Sequence, residues 1–233
     1  MASQDITIRT PKGESFTGYL ARPAAGKGPG ILVLQEIFGV NRVMRDLADG
    51  FARDGYFALV PDLFWRQQPG IQLTDKTEAE WSRAFELYQG FDEGKGIEDA
   101  KAALAELRRQ PGASGKAGCV GYCLGGKLAY LMATRSDADC SAGYYGVGIE
   151  NALDEAKKIK KPLLLHVALK DRFVPPEAQK KVRDALDGNS LITLHDYPGV
   201  DHAFARAGGE HYDALAAKLA NERTRAFFKK HLG

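Results

Sequence analysis

The alternation of short extended stretches with helical ones is the pattern that most restricts how this chain can fold. Extended stretches rich in apolar and β-branched residues are predicted at 6–10, 16–21, 31–34, 56–60, 118–122, 140–145, 162–168 and 191–197. Helices are predicted at 42–53, around 97–107, and at 124–133, 177–186 and 210–230. Strands separated by helices favour a mostly parallel central sheet with helices on both faces, so we expect an α/β fold.

The length of the chain suits one large domain. Its 233 residues are enough for a single α/β core. The Gly- and Pro-rich stretch at 23–30 is closely flanked by predicted strands, which makes it a loop and not a linker. We therefore expect a single domain over residues 1–233.

One face of the last predicted helix carries four residues at helical spacing: Tyr212, Leu215, Ala216 and Leu219.

Charge and cysteine content restrict the partners and the compartment. Lys plus Arg is 32 and Asp plus Glu is 30, so the formal charge of +2 gives no reason to expect nucleic acid or an anionic membrane as a partner. The first residues do not form a secretory signal, and no apolar run approaches the roughly 18 residues of a membrane span. Three cysteines without CxxC spacing favour a reducing cytoplasm over a disulfide scaffold.

The most informative segment is GCVGYCLGG at 118–126, where a predicted strand meets a predicted helix. It contains Gly-x-Cys-x-Gly, the pattern of a nucleophile elbow with cysteine in place of serine. The glycines two residues on either side of Cys123 let strand and helix approach without a Cβ clash. The backbone N–H of Leu124 lies at the helix N-terminus, where it can stabilise an oxyanion. The alternative is that Cys123 is a small buried apolar side chain at a tight packing point.

Candidate partners for the cysteine follow two later strands. Asp171 comes just after the strand predicted at 162–168, and His202 follows the strand predicted at 191–197. The chain order nucleophile, acid, histidine is that of α/β-hydrolases. The carboxyl ends of parallel strands gather at one edge of the sheet, so the three side chains can meet there. The sequence therefore predicts a triad of Cys123, His202 and Asp171.

Other residues compete for two of these positions. Asp201 is a rival acid, but adjacent side chains on an extended loop point apart, which favours Asp171 as the partner of His202. Asp171 could instead form an ion pair with Arg172. The four remaining histidines are expected to pack within strands or to lie on the solvated last helix: His166, His195, His211 and His231.

An acidic residue follows the strand predicted at 31–34, in the segment QEIFG at 35–39. In an α/β-hydrolase the loop after this strand supplies the second oxyanion N–H, for which Ile37 is the candidate. A catalytic role and a structural ion pair are equally open for Glu36 on the residues alone.

Four segments together resemble the dienelactone hydrolase (carboxymethylenebutenolidase) family: QEIFGVN at 35–41, PDLF at 61–64, VGYCLGG at 120–126 and GYYGVG at 143–148. The resemblance covers nearly the whole chain. It implies an α/β-hydrolase fold and an enzyme of aromatic hydrocarbon catabolism that needs neither cofactor nor metal. The implied reaction opens 4-carboxymethylenebut-2-en-4-olide (dienelactone) to maleylacetate. A small-molecule lactone is thus the expected partner, and we expect a monomer.

The resemblance also implies roles for single residues. Asp171 and His202 match the acid and base of the family's triad, and Glu36 matches an acidic residue that contacts the resting thiol and helps to activate it. We hypothesise that a carboxylated substrate draws Arg206 away from Glu36, which frees this carboxylate to take the thiol proton. Arg206 matches one of the arginines that bind the substrate carboxylate in the family.

Part of the implied substrate pocket departs from the family pattern. Trp81 stands where a second arginine is expected, with Arg83 two residues further on, and Ala203 stands where a serine is expected. These differences leave open which lactone is preferred. The other implied substrate-binding residues are aromatic: Phe38, Tyr144 and Tyr145.

A cysteine nucleophile restricts which esters the enzyme can hydrolyse. A thiolate is also a good leaving group, so the adduct with an alkyl ester tends to expel it again, whereas an enol lactone loses a stabilised enolate. The rival hypotheses are a general carboxylesterase or thioesterase acting on other activated esters, and a non-catalytic binding or redox-sensing protein of the same fold.

Overall fold

The computed structural model describes residues 3–233. By its contacts the chain forms two compact units, the first ending at Gly118 and the second beginning at Cys119. We expect a single domain over residues 1–233, and this stays a prediction. Residues 1 and 2 lie outside the described part.

Within residues 3–233, eight strands form one sheet in the order β1-β2-β4-β3-β5-β6-β7-β8. Their bounds are β1 Ser3–Arg9, β2 Ser15–Ala21, β3 Gly28–Leu34, β4 Phe57–Pro61, β5 Ala113–Tyr122, β6 Ser141–Tyr144, β7 Leu163–Ala168 and β8 Ile192–Tyr197. The β1–β2 and β2–β4 pairs are antiparallel, and the β3–β4, β5–β6, β6–β7 and β7–β8 pairs are parallel. The predicted mostly parallel sheet is confirmed. Strands β3 to β7 are largely buried, as expected of a parallel sheet covered by helices.

In the described part of the chain, six α-helices accompany the strands: α1 Arg42–Arg53, α2 Glu78–Gln89, α3 Glu93–Arg108, α4 Leu124–Arg135, α5 Pro176–Leu186 and α6 Ala214–Leu232. Two short 3-10 helices, Ile149–Asn151 and Leu153–Lys158, follow β6. Helix α1 has the predicted bounds, and the Asn41 side chain caps it by accepting the N–H of Met44. No helix within residues 3–233 has both the length and the apolar character that crossing a membrane requires.

Helix α2 was not predicted from the sequence. Its N-cap, Thr77, accepts the backbone N–H of Glu80, and the Glu80 carboxylate accepts the Thr77 hydroxyl. A Thr three residues before a Glu is a helix-start signal that the sequence contains. Only Ala84 and Leu87 of this helix are buried, so the apolar periodicity that marks a helix is weak here.

Helix α6 packs with a different face from the one indicated by its large apolar residues. Leu215 is 81% exposed, and Tyr212 lies before the helix begins. The buried residues are Ala217, Ala220, Thr224, Phe228 and Leu232. Small side chains let the helix approach closely, and the Thr224 hydroxyl bonds two buried polar groups, the Tyr144 hydroxyl at 2.6 Å and His166 Nε2 at 2.9 Å.

Candidate active site

Cys123 lies between the end of β5 and the start of α4, in a conformation that side chains rarely adopt. Its φ is 56° and its ψ is −115°. Its N–H donates to the Tyr144 carbonyl at 3.1 Å, and its carbonyl accepts the N–H of Gly126 at 2.9 Å. Such a backbone costs on the order of 1–3 kcal/mol and persists only where its surroundings hold it. The geometry is that of a strand-to-helix elbow that presents one side chain.

The glycines around the elbow are required by close backbone contacts. A Cβ on Gly121 would lie 1.8 Å from the carbonyl oxygen of Gly125. A Cβ on Gly126 would lie 2.4 Å from the carbonyl oxygen of Tyr144. Real Cβ atoms essentially never come closer than 3.0 Å to another heavy atom. Gly121 of the sequence motif and the neighbouring Gly126 thus allow the close packing of strand against helix.

Gly121→Ala is therefore expected to destabilise the protein by more than about 3 kcal/mol, because the clash is with backbone that cannot rotate away. Denaturant unfolding measures the loss. Gly50→Ala is the matched control, since a Cβ there would have only the end of the Arg53 side chain as a neighbour, at 3.6 Å. That change in α1 is expected to be neutral or stabilising by up to about 1 kcal/mol. Equal stability of both variants would contradict the elbow packing.

His202 and Asp171 form a buried pair in the loops that follow β8 and β7. His202 Nδ1 lies 2.9 Å from Asp171 Oδ2, and the two residues are 3% and 5% exposed. Asp171 Oδ1 accepts the backbone N–H of Phe173 at 2.9 Å, which orients the carboxylate. The side chain of the rival acid Asp201 bonds the guanidinium of Arg172 and not the imidazole of His202. The geometry thus favours Asp171 over Asp201 as the partner of the imidazole, and its role as the triad acid stays a prediction.

The other ring nitrogen of His202 is the one available for proton transfer. Nε2 is buried and, among residues 3–233, has no hydrogen-bond partner of ordinary geometry. Burial lowers the pKa of His202, but the charge of the Cys123 thiolate, the hydrogen bond to Asp171 and a loose hydrogen bond with Cys123 outweigh it and raise the pKa to about 10. A raised pKa favours the protonated imidazolium form of His202 near neutral pH.

Removing the thiolate is therefore expected to lower the pKa of His202. In Cys123→Ala the two contributions of Cys123 disappear, and only Asp171 still opposes the effect of burial. The wild-type imidazolium should contribute stability that is complete below pH 6.5, the ordinary pKa of histidine, and is lost as the pH rises through about 10. Ring ¹⁵N NMR titration of both proteins measures the difference, with Cys119→Ser as the control. An unchanged pKa in Cys123→Ala would show that the two side chains do not interact.

Two aromatic rings pack against the imidazole of His202. The ring centroid of Tyr145 lies 5.0 Å away and that of Phe173 lies 4.9 Å away, both edge to face. Phe173 is 39% exposed, so it borders both the histidine and the solvent. The sequence reading missed Phe173, although it stands only two residues after Asp171.

Backbone strain gathers in the same region. Cys123, Tyr145 and Ala203 have φ values of 56°, 39° and 61°, and within residues 3–233 they are the non-glycine residues with positive φ. Tyr145 contacts His202, and Ala203 directly follows it. Strained backbone of this kind concentrates at functional sites.

The surroundings of Tyr144 differ from those expected of a substrate-binding residue. It is fully buried, and its hydroxyl bonds Asn221 at 3.1 Å and Thr224 at 2.6 Å. This geometry favours a packing role, in contrast to Tyr145.

The other candidate residues of the second unit have structural partners. Cys119 and Cys140 are buried, and burial raises the pKa of Cys119 to about 12 and that of Cys140 further still, which keeps both as thiols. His166 bonds the Tyr197 hydroxyl at 2.7 Å in addition to Thr224, and burial holds its pKa well below the ordinary value. His211 precedes α6 instead of lying on it, and it contacts Arg172.

Arg206 lies in the turn after His202. It is 7% exposed, and its backbone N–H donates to the Ala203 carbonyl at 2.9 Å. Its predicted role in substrate binding stays a prediction.

The remaining predicted residues belong to the first unit. Glu36, Ile37 and Phe38 follow β3 and are buried. On α2, the ring of Trp81 meets that of Phe38 edge to face, with centroids 5.0 Å apart. Their predicted roles, including the oxyanion N–H of Ile37, stay predictions.

Arg83 is partly exposed on the same helix. Its guanidinium bonds the Glu86 carboxylate and the Gln68 side chain, both at 2.7 Å. A substrate would have to compete with these partners.

Residues 3–233 contain no group of three or more His, Cys, Asp or Glu side chains placed to hold a metal ion.

Comparison with known proteins identifies the family. A sequence profile described as "Dienelactone hydrolase family" matches residues 16–232. A relative from Azospirillum brasilense, named provisionally as a carboxymethylenebutenolidase, is 54% identical over 98% of this chain and 99% of its own. The carboxymethylenebutenolidase of Pseudomonas putida is 40% identical over 96% of this chain and 94% of its own.

A solved structure agrees with the sequence relatives. The crystal structure of a provisionally assigned dienelactone hydrolase from Klebsiella pneumoniae superposes with a TM-score of 0.85 at 27% identity, covering 99% of this chain and all of the other. The predicted α/β-hydrolase fold is thereby confirmed. The protein is a hydrolase, and its chain belongs to the dienelactone hydrolase family.

Proposed function

We propose that this hydrolase opens the enol lactone 4-carboxymethylenebut-2-en-4-olide to maleylacetate through a thioester on Cys123. The observation that carries the proposal is a strained cysteine at the elbow whose partner, His202, is hydrogen-bonded to a buried carboxylate. The name of the Pseudomonas putida relative supports this choice of substrate.

The first half of the reaction forms the thioester. The Cys123 thiolate attacks the lactone carbonyl carbon, and the new S–C bond places negative charge on the carbonyl oxygen. The backbone N–H of Leu124 is in the first turn of α4, where it has no acceptor within the helix and can stabilise that charge. When the adduct collapses, the ring C–O bond breaks and its electron pair leaves as an enolate. A carbon of the enolate takes the proton of the His202 imidazolium, which gives a ketone and leaves His202 neutral.

The enol leaving group suits a cysteine enzyme. A tetrahedral adduct expels the group that leaves more easily, and for an alkyl ester that group is the thiolate, which returns to the starting state. An enolate delocalises its charge and so competes with the thiolate as a leaving group. The thioester then forms without an acid to protonate the leaving oxygen.

The second half of the reaction requires a base. Neutral His202 takes a proton from water through Nε2, and the resulting hydroxide attacks the thioester carbonyl. Collapse of this adduct breaks the C–S bond and restores the thiolate beside the imidazolium. The product leaves as a carboxylic acid, which loses its proton to water and becomes the carboxylate. The hydrogen bond from Nδ1–H to Asp171 holds the ring in the tautomer that exposes Nε2 as an acceptor.

The direct test is hydrolysis of cis- and trans-dienelactone, followed by ultraviolet absorbance. We expect turnover of at least one isomer, with a product identical to maleylacetate by mass and chromatography. Iodoacetamide should abolish this turnover in proportion to labelling of Cys123. Faster hydrolysis of aryl esters or thioesters than of either lactone would favour a general esterase. No hydrolysis of any ester would leave a binding or redox-sensing protein.

Arg206 is expected to bind the carboxylate of the substrate. Arg206→Ala should raise KM about tenfold or more for carboxylated lactones, the loss of a charge-assisted hydrogen bond. A neutral aryl ester hydrolysed by the same variant is the control and should change far less. Equal losses on both substrates would mean that Arg206 maintains the structure of the turn instead.

A further inference from the structure

Asp201 stands between β8 and His202, and its contacts are not used by the reaction proposed above. Its Oδ1 accepts two backbone N–H groups, that of Arg172 at 3.0 Å and that of His202 at 2.6 Å. Its Oδ2 accepts Nε of the Arg172 guanidinium at 2.9 Å. The side chain is about a quarter exposed, at 24%. One carboxylate oxygen thus joins two separate loops.

These two loops carry the side chains that must meet. Arg172 directly follows Asp171 in the loop after β7, and His202 lies in the loop after β8. The parallel ladder of β7 and β8 continues into the loops with the N–H of Lys170 donating to the Val200 carbonyl at 3.0 Å. For the backbone N–H groups of Arg172 and His202, which lie further along the two loops, the acceptor is Asp201 Oδ1 and not a backbone carbonyl.

We propose that Asp201 is a positioning residue, whose carboxylate ties the Asp171 loop to the His202 loop and so fixes the Asp171–His202 hydrogen bond. The bond it fixes, 2.9 Å between Nδ1 and Oδ2, joins the ends of two irregular loops, where a small backbone shift separates the atoms. The catalytic consequence of the tie rests on the proposed function. The hydrogen bonds by which Asp201 joins the loops do not depend on the proposed function.

Asp201 stays negatively charged near neutral pH and so keeps its hydrogen bonds to both loops. Burial alone would raise the pKa of Asp201, but the hydrogen bonds from the Arg172 side chain and from the backbone of Arg172 and His202 lower it to about 2. A carboxylate with a lowered pKa loses its stabilising contribution only as the pH falls through that value. Arg172 also contacts His211, which ties the loop to the segment before α6.

The test compares variants of the intact enzyme by kinetics and by proton NMR. In Asp201→Ala, kcat should fall between about 10-fold and 100-fold while KM changes less than about threefold, because the loss is one of alignment. The proton between His202 Nδ1 and Asp171 should give a downfield resonance in the wild type. In Asp201→Ala this resonance should broaden or vanish, since the proton exchanges with water once the loops separate.

Three further variants separate the tie from other effects. Asp201→Asn keeps an oxygen acceptor and should retain more activity than Asp201→Ala. Arg172→Gln removes the guanidinium but not the backbone N–H, and should cost no more than about threefold. Asp196→Ala is the matched control on β8, since it removes a carboxylate paired with Arg183 at 2.5 Å and should leave both the resonance and kcat as in the wild type.

Two results would overturn the inference. One is an Asp201→Ala enzyme whose kcat and resonance match those of Asp196→Ala. The other is an Arg172→Gln enzyme as impaired as Asp201→Ala, which would assign the effect to the ion pair and not to the backbone tie. The NMR comparison needs no substrate, so it still decides the matter if the wild type fails to hydrolyse dienelactone, a failure that would count only against the proposed function.

Discussion

Cys123→Ser is expected to reduce kcat/KM on dienelactone by roughly 10³-fold or more, the scale of losing a nucleophile that acts as part of a unit. A serine hydroxyl does not ionise near neutral pH, so the thiolate–imidazolium pair with His202 cannot form. In the wild type the pKa of His202 is raised to about 10, and this rise depends in part on the negative charge of the Cys123 sulfur. Steady-state kinetics of the purified variant measures the loss, and circular dichroism checks its fold.

The other two cysteines provide internal controls for this experiment. Cys119 bonds the Ser141 hydroxyl at 3.2 Å, and Cys140 is fully buried. Cys119→Ser and Cys140→Ser are therefore expected to retain activity within about threefold, with any loss appearing in stability. An inactive variant of either one, together with a normal Cys123→Ser enzyme, would refute the elbow assignment.

Asp171→Asn is expected to lower kcat by about 10³-fold to 10⁴-fold. The asparagine can still accept the N–H of Phe173 through its amide oxygen, which turns its NH₂ group toward His202 Nδ1. That NH₂ donates a hydrogen bond, so the ring proton must move to Nε2. Nε2 can then no longer take a proton from the thiol or from water, and both halves of the reaction slow.

The control for this substitution is Asp196→Asn, an aspartate on β8 that pairs with Arg183. It should leave kcat unchanged. Because Asp171→Asn alters proton transfer more than binding, KM on the same lactone should move by much less than kcat. Near-normal turnover of Asp171→Asn would mean that His202 works without this carboxylate.

The structural features that the sequence predicted are local in the chain or fixed by chain order, whereas the catalytic roles of Cys123, His202 and Asp171 stay predictions. The elbow depends on Gly121, two residues before Cys123, and the clash that a Cβ there would make with the Gly125 carbonyl is a contact between near neighbours. Asp171 and His202 could be paired because parallel strands place their carboxyl ends at one edge. The bounds of β2 and α1 were predicted within one residue for the same reason, since turn and cap residues mark them.

The features that escaped prediction depend on contacts between distant segments. Asp201 was considered only as a rival acid, because one of its backbone donors, the N–H of Arg172, lies about thirty residues away and cannot be inferred from spacing. The packed face of α6 is set by Thr224 meeting Tyr144 and His166, a buried polar contact to which apolar periodicity gives no clue. Helix α2 has few buried residues, so the same periodicity is weak there.

The clustering of positive φ at Cys123, Tyr145 and Ala203 has a consequence for engineering. Each position costs on the order of 1 kcal/mol or more, a sizeable part of the roughly 5–15 kcal/mol by which a domain is stable. Glycine would relieve this strain at any of them, so selection for heat resistance alone favours substitutions that erode the catalytic geometry. Libraries intended to make this enzyme more robust should therefore hold these three codons constant and vary the exposed surface of α6 instead.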